Sequence, residues 1–568
     1  MLLGRVDLPV VNAGCTTLKN AIPLKNGGVR RIPGTYYAGP GYASGTVNGR
    51  LIRFPAKSGQ YIVELTNLKA RIWNAAHTVV QYSAVDLVLT TTITTAELFE
   101  CQARVVNNEL FIVHHSHPVQ RIKETTPAPF TLDVPTFTGS RTFGATGDYP
   151  SVVTAHRGSL VLGGSDNDPT GYAISRSPVA ATGVFRTTDF TSGTNPDDAI
   201  IGFNTDGEGS RFTWIQAHRR VAAGMTKTVW ADAGGLPTPA NFYMQTVDYD
   251  GAATVQAAIL KNAILYIGAP IPSLQMLIYS DEAGGMTDID ASRYFRHLLR
   301  PGIVQMAAMT SPEPGVWLVR TDGKIVAVCV DINGGALSVG AGLYEPADGG
   351  LVKSAEVLRG ANGDELWMYV LRGSVYQVEW MVFPTDNDSD FTELHYIDSG
   401  IRWTGASTNT VSGLAHLNGK TVHAIADGAS MPAAVVAAGV ATYEKSFTKI
   451  HVGLPNESIC TPTRPEVQAN ATWQGKKKNV EAAVLRISKS YGGKIASGAN
   501  PTAGDYQTIA YAGGPYQEFG AAPSPVTEDI HLDVVGDVDT DGVVSVKQDE
   551  PFPMTLLAII TRIKIQEA

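Results

Sequence analysis

Charge is scarce in this sequence: Asp, Glu, Lys and Arg make up 17% of its 568 residues, against about a quarter in an average soluble protein. Little surface is given to solvation by charge, as expected of a chain that covers large areas with other subunits. Positive charge is scarcer still, with 44 Lys and Arg against 53 Asp and Glu and one dense basic run, Lys476-Lys477-Lys478. That excludes the concentrated basic footprint a strong grip on duplex DNA needs, whereas a mildly acidic wall would let DNA slide past. The four cysteines, Cys15, Cys101, Cys329 and Cys460, form no Cys-x-x-Cys pair. They exclude a disulfide framework and read as buried thiols made in a reducing cytosol. No apolar run approaches the roughly 18–20 residues that cross a bilayer, and Met1 is followed at once by Gly4, Arg5 and Asp7, so neither a membrane segment nor a secretory leader is expected.

What is abundant is punctuation. The 58 Gly and 32 Pro interrupt the chain every few residues, which favours short strands and tight turns over long helices; the expected class is all-β. The chain is too long for one hydrophobic core. Residues 1–45, broken by Pro9, Pro23, Pro33 and Pro40, read as an extended N-terminal arm that is ordered by lying on something else. From residue 46 a strand–turn–strand pattern recurs, anchored on Ala103, Ala155, Ala217, Ala257, Ala307, Ala355 and Ala415. The spacing is close to one propeller blade of about 50 residues. The body, 46–400, is therefore expected to be a β-propeller-like array, with stacked β-sandwiches as the alternative. Residues 401–568, including alternating Val480–Ile487 and apolar Met554–Ile563, suit a closing β-sandwich-like module, and the unit at Gly413 is placed there and not in a seventh blade.

Few constellations suggest chemistry. His114, His115 and His117 lie at a strand end, where alternation puts His115 and His117 on one face, but no third ligand stands at a recognisable spacing. The ordinary reading is a strand end near the surface. Asp537, Asp539, Asp541 and Gly542 match the first half of a calcium loop, yet Gln548 occupies the twelfth position where a bidentate Glu belongs; a hairpin is the preferred reading. The carboxylates of Asp386, Asp388 and Asp390, and of Asp166 and Asp168, have the look of solvated loop tips, and the basic run at Lys476 that of a solvated strand entrance. A nucleophile elbow, a phosphate loop and a zinc-protease helix are absent. No catalytic, cofactor-binding or metal-ligating residue is assigned.

Several segments resemble the tail nozzle proteins, or tail tubular protein B, of short-tailed bacteriophages. They include Gly4-Arg-Val-Asp-Leu-Pro9, Leu18 to Leu24 and Gly27 to Thr35, where Ile32 stands in place of an Arg common in the family. Further along come Leu110 to Pro118, Tyr149 to Val153 with Arg157 to Val161, and Val316 to Gly323. The C-terminal third adds Asp398-Ser-Gly400, Gly413 to Val422, Ala426-Asp-Gly428, Val452 to Pro455, Gln474 to Lys478 and Gln548 to Ile560, in the family's order. The resemblance implies a propeller-containing structural subunit of the virion, made in the host cytoplasm. It would form a homohexameric ring at the tail tip, below portal and head–tail adaptor proteins. Genomic DNA would pass through the channel without specific binding, with tail fibres or spikes as further candidate partners. It implies no catalysis, no cofactor and no metal. The rival expectations are a tail-associated propeller enzyme acting on host surface glycans and a calcium-dependent adhesin.

Overall fold

The computed structural model describes residues 14–179, 182–234, 237–333, 336–360, 363–384, 391–465, 475–511, 522–536 and 538–566. Strands dominate them, and helix is confined to short turns such as Tyr42–Gly45 and Arg296–Leu299. Among the described residues no helix is long and apolar enough to cross a membrane. The chain divides into two compact units. One, the blade unit, holds Ala38–Gly323 and Val352–Val378; the other, the closing unit, holds Met1–Tyr37, Lys324–Leu351 and Glu379–Ala568.

In the blade unit, four four-stranded antiparallel sheets and then a five-stranded one follow one another along the chain, within residues 50–90, 102–133, 152–203, 212–248 and 251–290. In the last of these the short strands Gly251–Ala252 and Ala258–Leu260 both pair with Ala263–Ala269. A hairpin of Ile303–Met309 and Gly315–Arg320 comes next. A sixth sheet begins with Leu351–Gly360, Gly363–Arg372 and Val375–Val382 and takes Tyr36–Pro40 from far upstream as its next strand. Gly41 N–H donates to the Tyr376 carbonyl at 2.8 Å beside that closure.

Period-two alternation explains why these sheets stack in series. In the strand Glu109–His114, Leu110 and Ile112 join Ile52, Phe54 and Val63 of the first sheet. Phe111 and Val113, pointing the other way, join Val153, Leu160 and Leu162 of the third. The third sheet repeats the device: Val161 packs with Ile215 and Val221 of the fourth, whose Trp214 and Ala222 turn to Ile264 and Tyr266 of the fifth. A strand buried on both faces carries apolar residues on each of them, as Leu160, Val161 and Leu162 do in Ser159–Gly163, which is buried throughout. Full burial of a residue such as Leu160 contributes about 2 kcal/mol. The all-β, propeller-like array expected of the body is present.

The closing unit is assembled from strands distant in sequence. One sheet places Cys15–Lys19 between Ala336–Tyr344 and Ser458–Pro462, and continues through Val544–Gln548, Lys494–Ser497 and Gln507–Thr508. The facing sheet runs Ala21–Pro23, Val29–Arg31, Thr555–Gln566, Lys477–Ser490 and Val526–Asp533. Cys460, Ile495, Val544 and Val546 from the first meet Leu485, Ile487, Ile530 and Leu556 from the second, so the module is a β-sandwich with the N-terminal arm woven into both layers. Gly28 marks how closely the arm approaches: a Cβ there would lie 2.7 Å from the Leu556 carbonyl oxygen. Strands Ile397–Val411, Thr421–Ala426, Ala429–Val435 and Ala441–Pro455 enclose a separate core around Leu414, Val422, Phe447 and Val452.

Pairing, not chain order, decides membership. Residues 38–45 go with the blades, and 324–351 and 379–400 with the closing unit, where Lys19 lies opposite Leu343 in parallel. Three local expectations need correction. Cys15 is exposed, whereas Cys101, Cys329 and Cys460 are buried, because the arm strand reaches the sheet's surface at its first residue; its Sγ lies 3.7 Å from that of Cys460. The segment at Gly413 is no strand but a loop with a short helical turn, Ala415–Leu417. The Asp539–Gly542 turn does not close a hairpin, since Val526–Asp533 and Val544–Gln548 belong to different sheets.

Candidate functional site

Within the blade unit one group of side chains converges in the way ligand sites do. In the second sheet, strands Glu109–His114 and His117–Glu124 are joined by a two-residue turn, His115-Ser116, with His114 directly opposite His117. This overturns the expectation that His115 and His117 share a strand face: the chain reverses between them. Upstream, the short helical turn Thr95–Glu97 is held by a capping box, in which Thr94 N–H and hydroxyl both donate to Glu97 Oε2, at 2.8 and 2.7 Å. The carboxylate's other oxygen, Oε1, then lies 3.0 Å from His117 Nε2. Glu100, three residues on, puts Oε2 3.3 Å from His114 Nε2.

The groups differ in exposure. His114 is buried at 2%, His117 and Glu97 are partly buried, and Glu100 is exposed. Burial pushes the His114 imidazole below its usual pKa, against the pull of Glu100, and so favours its neutral form. Burial tends to raise the Glu97 carboxyl, but the Thr94 hydrogen bonds and His117 outweigh it and draw it down to about 2. Ligand atoms of Glu97, His114 and His117 all lie within 4.8 Å of one another, as do those of Glu100, His114 and His115. His115 has a further partner, its Nδ1 lying 3.0 Å from Asp166 Oδ2.

The other candidates disperse. Asp166 pairs with His115 and Arg211, and Asp168 with Arg141; each is held by a cation instead of facing a second carboxylate in a cleft. Residues 386–390, Asp537, Gln474 and the opening motif from Gly4 to Pro9 lie outside the described residues. Asp539 Oδ1 accepts the N–H groups of Asp541 and Gly542, at 2.9 and 2.6 Å, a local Asx turn completed by the left-handed Gly542. Gln548 is turned elsewhere, donating to the Tyr491 carbonyl at 2.7 Å. Lys478 is not a solvated strand entrance: it is buried at 1%, and its Nζ donates to the Thr540 carbonyl.

In the closing unit a cavity of about 750 Å³ is lined by Lys19, Lys324, Lys494, Glu345, Glu457 and Asp549, among others. Lys19 is paired with Glu457 at 2.9 Å, Lys494 with Asp549 at 2.8 Å, and Lys324 with Glu345. Its three lysines are thus each held by a carboxylate of the same lining. A second buried set joins His395 and His451, with Nδ1 atoms 3.1 Å apart and Nε2 atoms donating to the Thr35 and Thr392 carbonyls. Tyr36 stacks on His395 at 3.8 Å. Each ring is tied through Nε2 to a backbone carbonyl, which makes the pair part of the core and not an open site.

No protein-family model matches the chain. No curated protein matches it either. Among solved structures, the WD40 domain of Neurospora crassa Pan2 aligns at 9% identity and a TM-score of 0.37, covering 61% of this chain and 91% of that one. The β-propeller domain of Myceliophteria thermophila Cps50 (Swd1) aligns at 10% identity and a TM-score of 0.38, covering 62% of this chain and 100% of its own. The propeller-like assignment here rests on the successive antiparallel sheets of the blade unit and their serial packing.

Glu97 and Glu100 went unrecognised from sequence. The Thr94-x-x-Glu97 capping box was the available signal: it announces a carboxylate fixed at a helical turn. Nothing local announces that this turn abuts a hairpin end some 20 residues later.

Proposed function

We propose that this chain is a structural, non-catalytic subunit of a short-tailed bacteriophage tail. Copies would join side to side in a nozzle ring, six to the ring, that prolongs the DNA-ejection channel below portal and adaptor. One observation carries the reading. Segments that resemble the nozzle family, and that lie hundreds of residues apart, serve as one another's packing partners in the closing unit.

Arg31, from the arm segment, sends its guanidinium to the carbonyls of Glu550 at 2.5 Å and Phe552 at 2.7 Å in the C-terminal segment, and to that of Asn456. Thr35 hydroxyl accepts the Ser399 N–H at 2.8 Å, and its carbonyl accepts Gly400 N–H at 2.8 Å. Asp398, fully buried, takes the Ala347 N–H at 2.8 Å and the Asn456 side-chain amide at 2.9 Å. The family-like residues are thus spent on holding a scaffold, which suits a wall-building protein better than an enzyme. The low charge fraction supports side-to-side burial, and the acidic balance supports passage of DNA without capture.

The test is native mass measurement and negative-stain imaging of the purified chain, together with virion preparations. A closed ring of six copies with a central pore is expected. A chain that stays monomeric at every concentration, with no ring in the virion tail, overturns the reading.

A further inference from the structure

We propose that Glu97, His114 and His117 form a binding site for one first-row divalent transition ion, zinc foremost, which rivets the 94–97 turn to the hairpin end of the second sheet. The inference stands on side-chain geometry within one sheet and its leading turn, and does not depend on the nozzle reading.

Three elements each bring one donor. His114 ends one strand and His117 begins the next, and their register places them opposite each other, so two imidazoles are held side by side by backbone pairing. Glu97 arrives from the capped turn. Their donor atoms lie within 4.8 Å of one another. An ion with bonds of about 2.0–2.2 Å to nitrogen and carboxylate oxygen needs its tetrahedral ligands roughly 3.3–3.5 Å apart, a closure that small side-chain rotations supply. Two imidazoles and one carboxylate are borderline donors, which select zinc and its neighbours over calcium or magnesium, whose sites are built of oxygen.

The second shell is already in place. Thr94 occupies Glu97 Oε2 with two hydrogen bonds and leaves Oε1 aimed at His117, the outer-sphere orientation that metal-ligating carboxylates show. His114 is buried, so its imidazole is held in place by the surrounding sheet. Glu100, exposed and 3.3 Å from His114 Nε2, or a solvent water, can fill the fourth position. The alternative trio of Glu100, His114 and His115 shares His114, so the two cannot be filled together and the stoichiometry is one. His115 is also engaged by Asp166, which makes that trio the weaker. Ligation through His114 Nε2 gives up one long bond, the 3.2 Å contact from Ser116 N–H to Nδ1.

The experiment uses the full, untagged chain, stripped with chelator and titrated with zinc chloride by calorimetry, with bound metal counted by elemental analysis. One ion per chain is expected. Glu97→Gln and His117→Ala should each weaken binding by about tenfold or more, while His115→Ala changes it less than about threefold. Zinc should raise the unfolding temperature of the wild type but not of the two ligand variants. Cobalt in place of zinc should give the intense visible bands of a four-coordinate site. His117→Gln, closer in volume, stands in if His117→Ala does not fold. Binding well below one equivalent, affinity unchanged in the Glu97 and His117 variants, or loss of binding in His115→Ala alone would each overturn the assignment.

Discussion

The two units are assembled by opposite routes. In the blade unit each of the first five sheets is made from 30 to 50 or so consecutive residues, and neighbouring sheets share their cores. In the closing unit, neighbouring strands come from the arm, the middle and the end of the chain, as where Cys15–Lys19 lies between Ala336–Tyr344 and Ser458–Pro462. Local assembly distributes stability over many equivalent contacts. Non-local assembly concentrates it on the few side chains that stitch distant segments together.

The largest effect should therefore come from such a stitch. Arg31→Ala removes a 2%-exposed guanidinium serving the carbonyls of Asn456, Glu550 and Phe552. At about 1–3 kcal/mol for each buried group left unsatisfied, a loss of 4 kcal/mol or more, by this order-of-magnitude estimate, is expected in the closing unit. Hydrogen exchange should show protection lost in Thr555–Gln566 and Ser458–Pro462 while Ser159–Gly163 stays protected. The blade unit's nearest equivalent is Glu64, fully buried and accepting from Arg71 Nε, Trp73 Nε1 and Tyr42 N–H at 2.8, 2.8 and 2.6 Å. Glu64→Gln leaves Arg71 only the more distant Asp86, at 4.0 Å, as counter-charge, at a cost of about 3 kcal/mol, with loosening confined to the first sheet and its neighbours. If Arg31→Ala instead loosens both units equally, the contrast fails.

Acid should act next. Burial pushes His451 down to about 4 and His395 well below its usual value, the latter also through the neighbouring His451. A histidine with a depressed pKa binds fewer protons folded than unfolded, so stability rises with pH across the gap. The contribution is complete above about 6.5, where both states are neutral, and falls away as pH drops toward 4. For His451 the loss is on the order of 3 kcal/mol. Unfolding of the closing unit followed from pH 7 to 4 should show this slope, and His451→Gln should flatten it; an unchanged slope counts against the buried pair as its source.

The smallest effect is a covalent trap. A mild two-electron oxidant such as a diazene should take one hydrogen from each of Cys15 and Cys460 and join the sulfurs, which must close from 3.7 Å to about 2.05 Å. Peptide mapping should find that cross-link, with a gain of about 2 kcal/mol, the low end for a disulfide. Its absence would mean the arm strand does not pair with Ser458–Pro462 in solution.

Legibility followed the same divide. Ala103, Ala155, Ala217, Ala307 and Ala355 each lie in the first strand of their sheet or hairpin, because a blade's register is written in adjacent residues. The sheet at 50–90 lacked such an anchor and was not counted as a repeat. The Asp541-Gly542 turn was legible as a turn, but whether two flanking strands pair is settled by competition with distant partners. The reversal at His115-Ser116 carries neither Gly nor Asn, so the strand seemed to run on, and the approach of Glu97 to His117 is tertiary.

The strand Tyr36–Pro40 joins a sheet whose other members begin at Leu351, and Gly41 meets Tyr376 across about 335 residues of chain. On a ribosome adding about 5–20 residues per second, that early segment waits roughly 17–70 s for its partner. For all that time it is an unpaired strand, and the sixth sheet cannot form. Closure of the array is thus timed by translation, and a nascent chain stalled before residue 375 should offer a ready edge to chaperones or to a neighbouring copy.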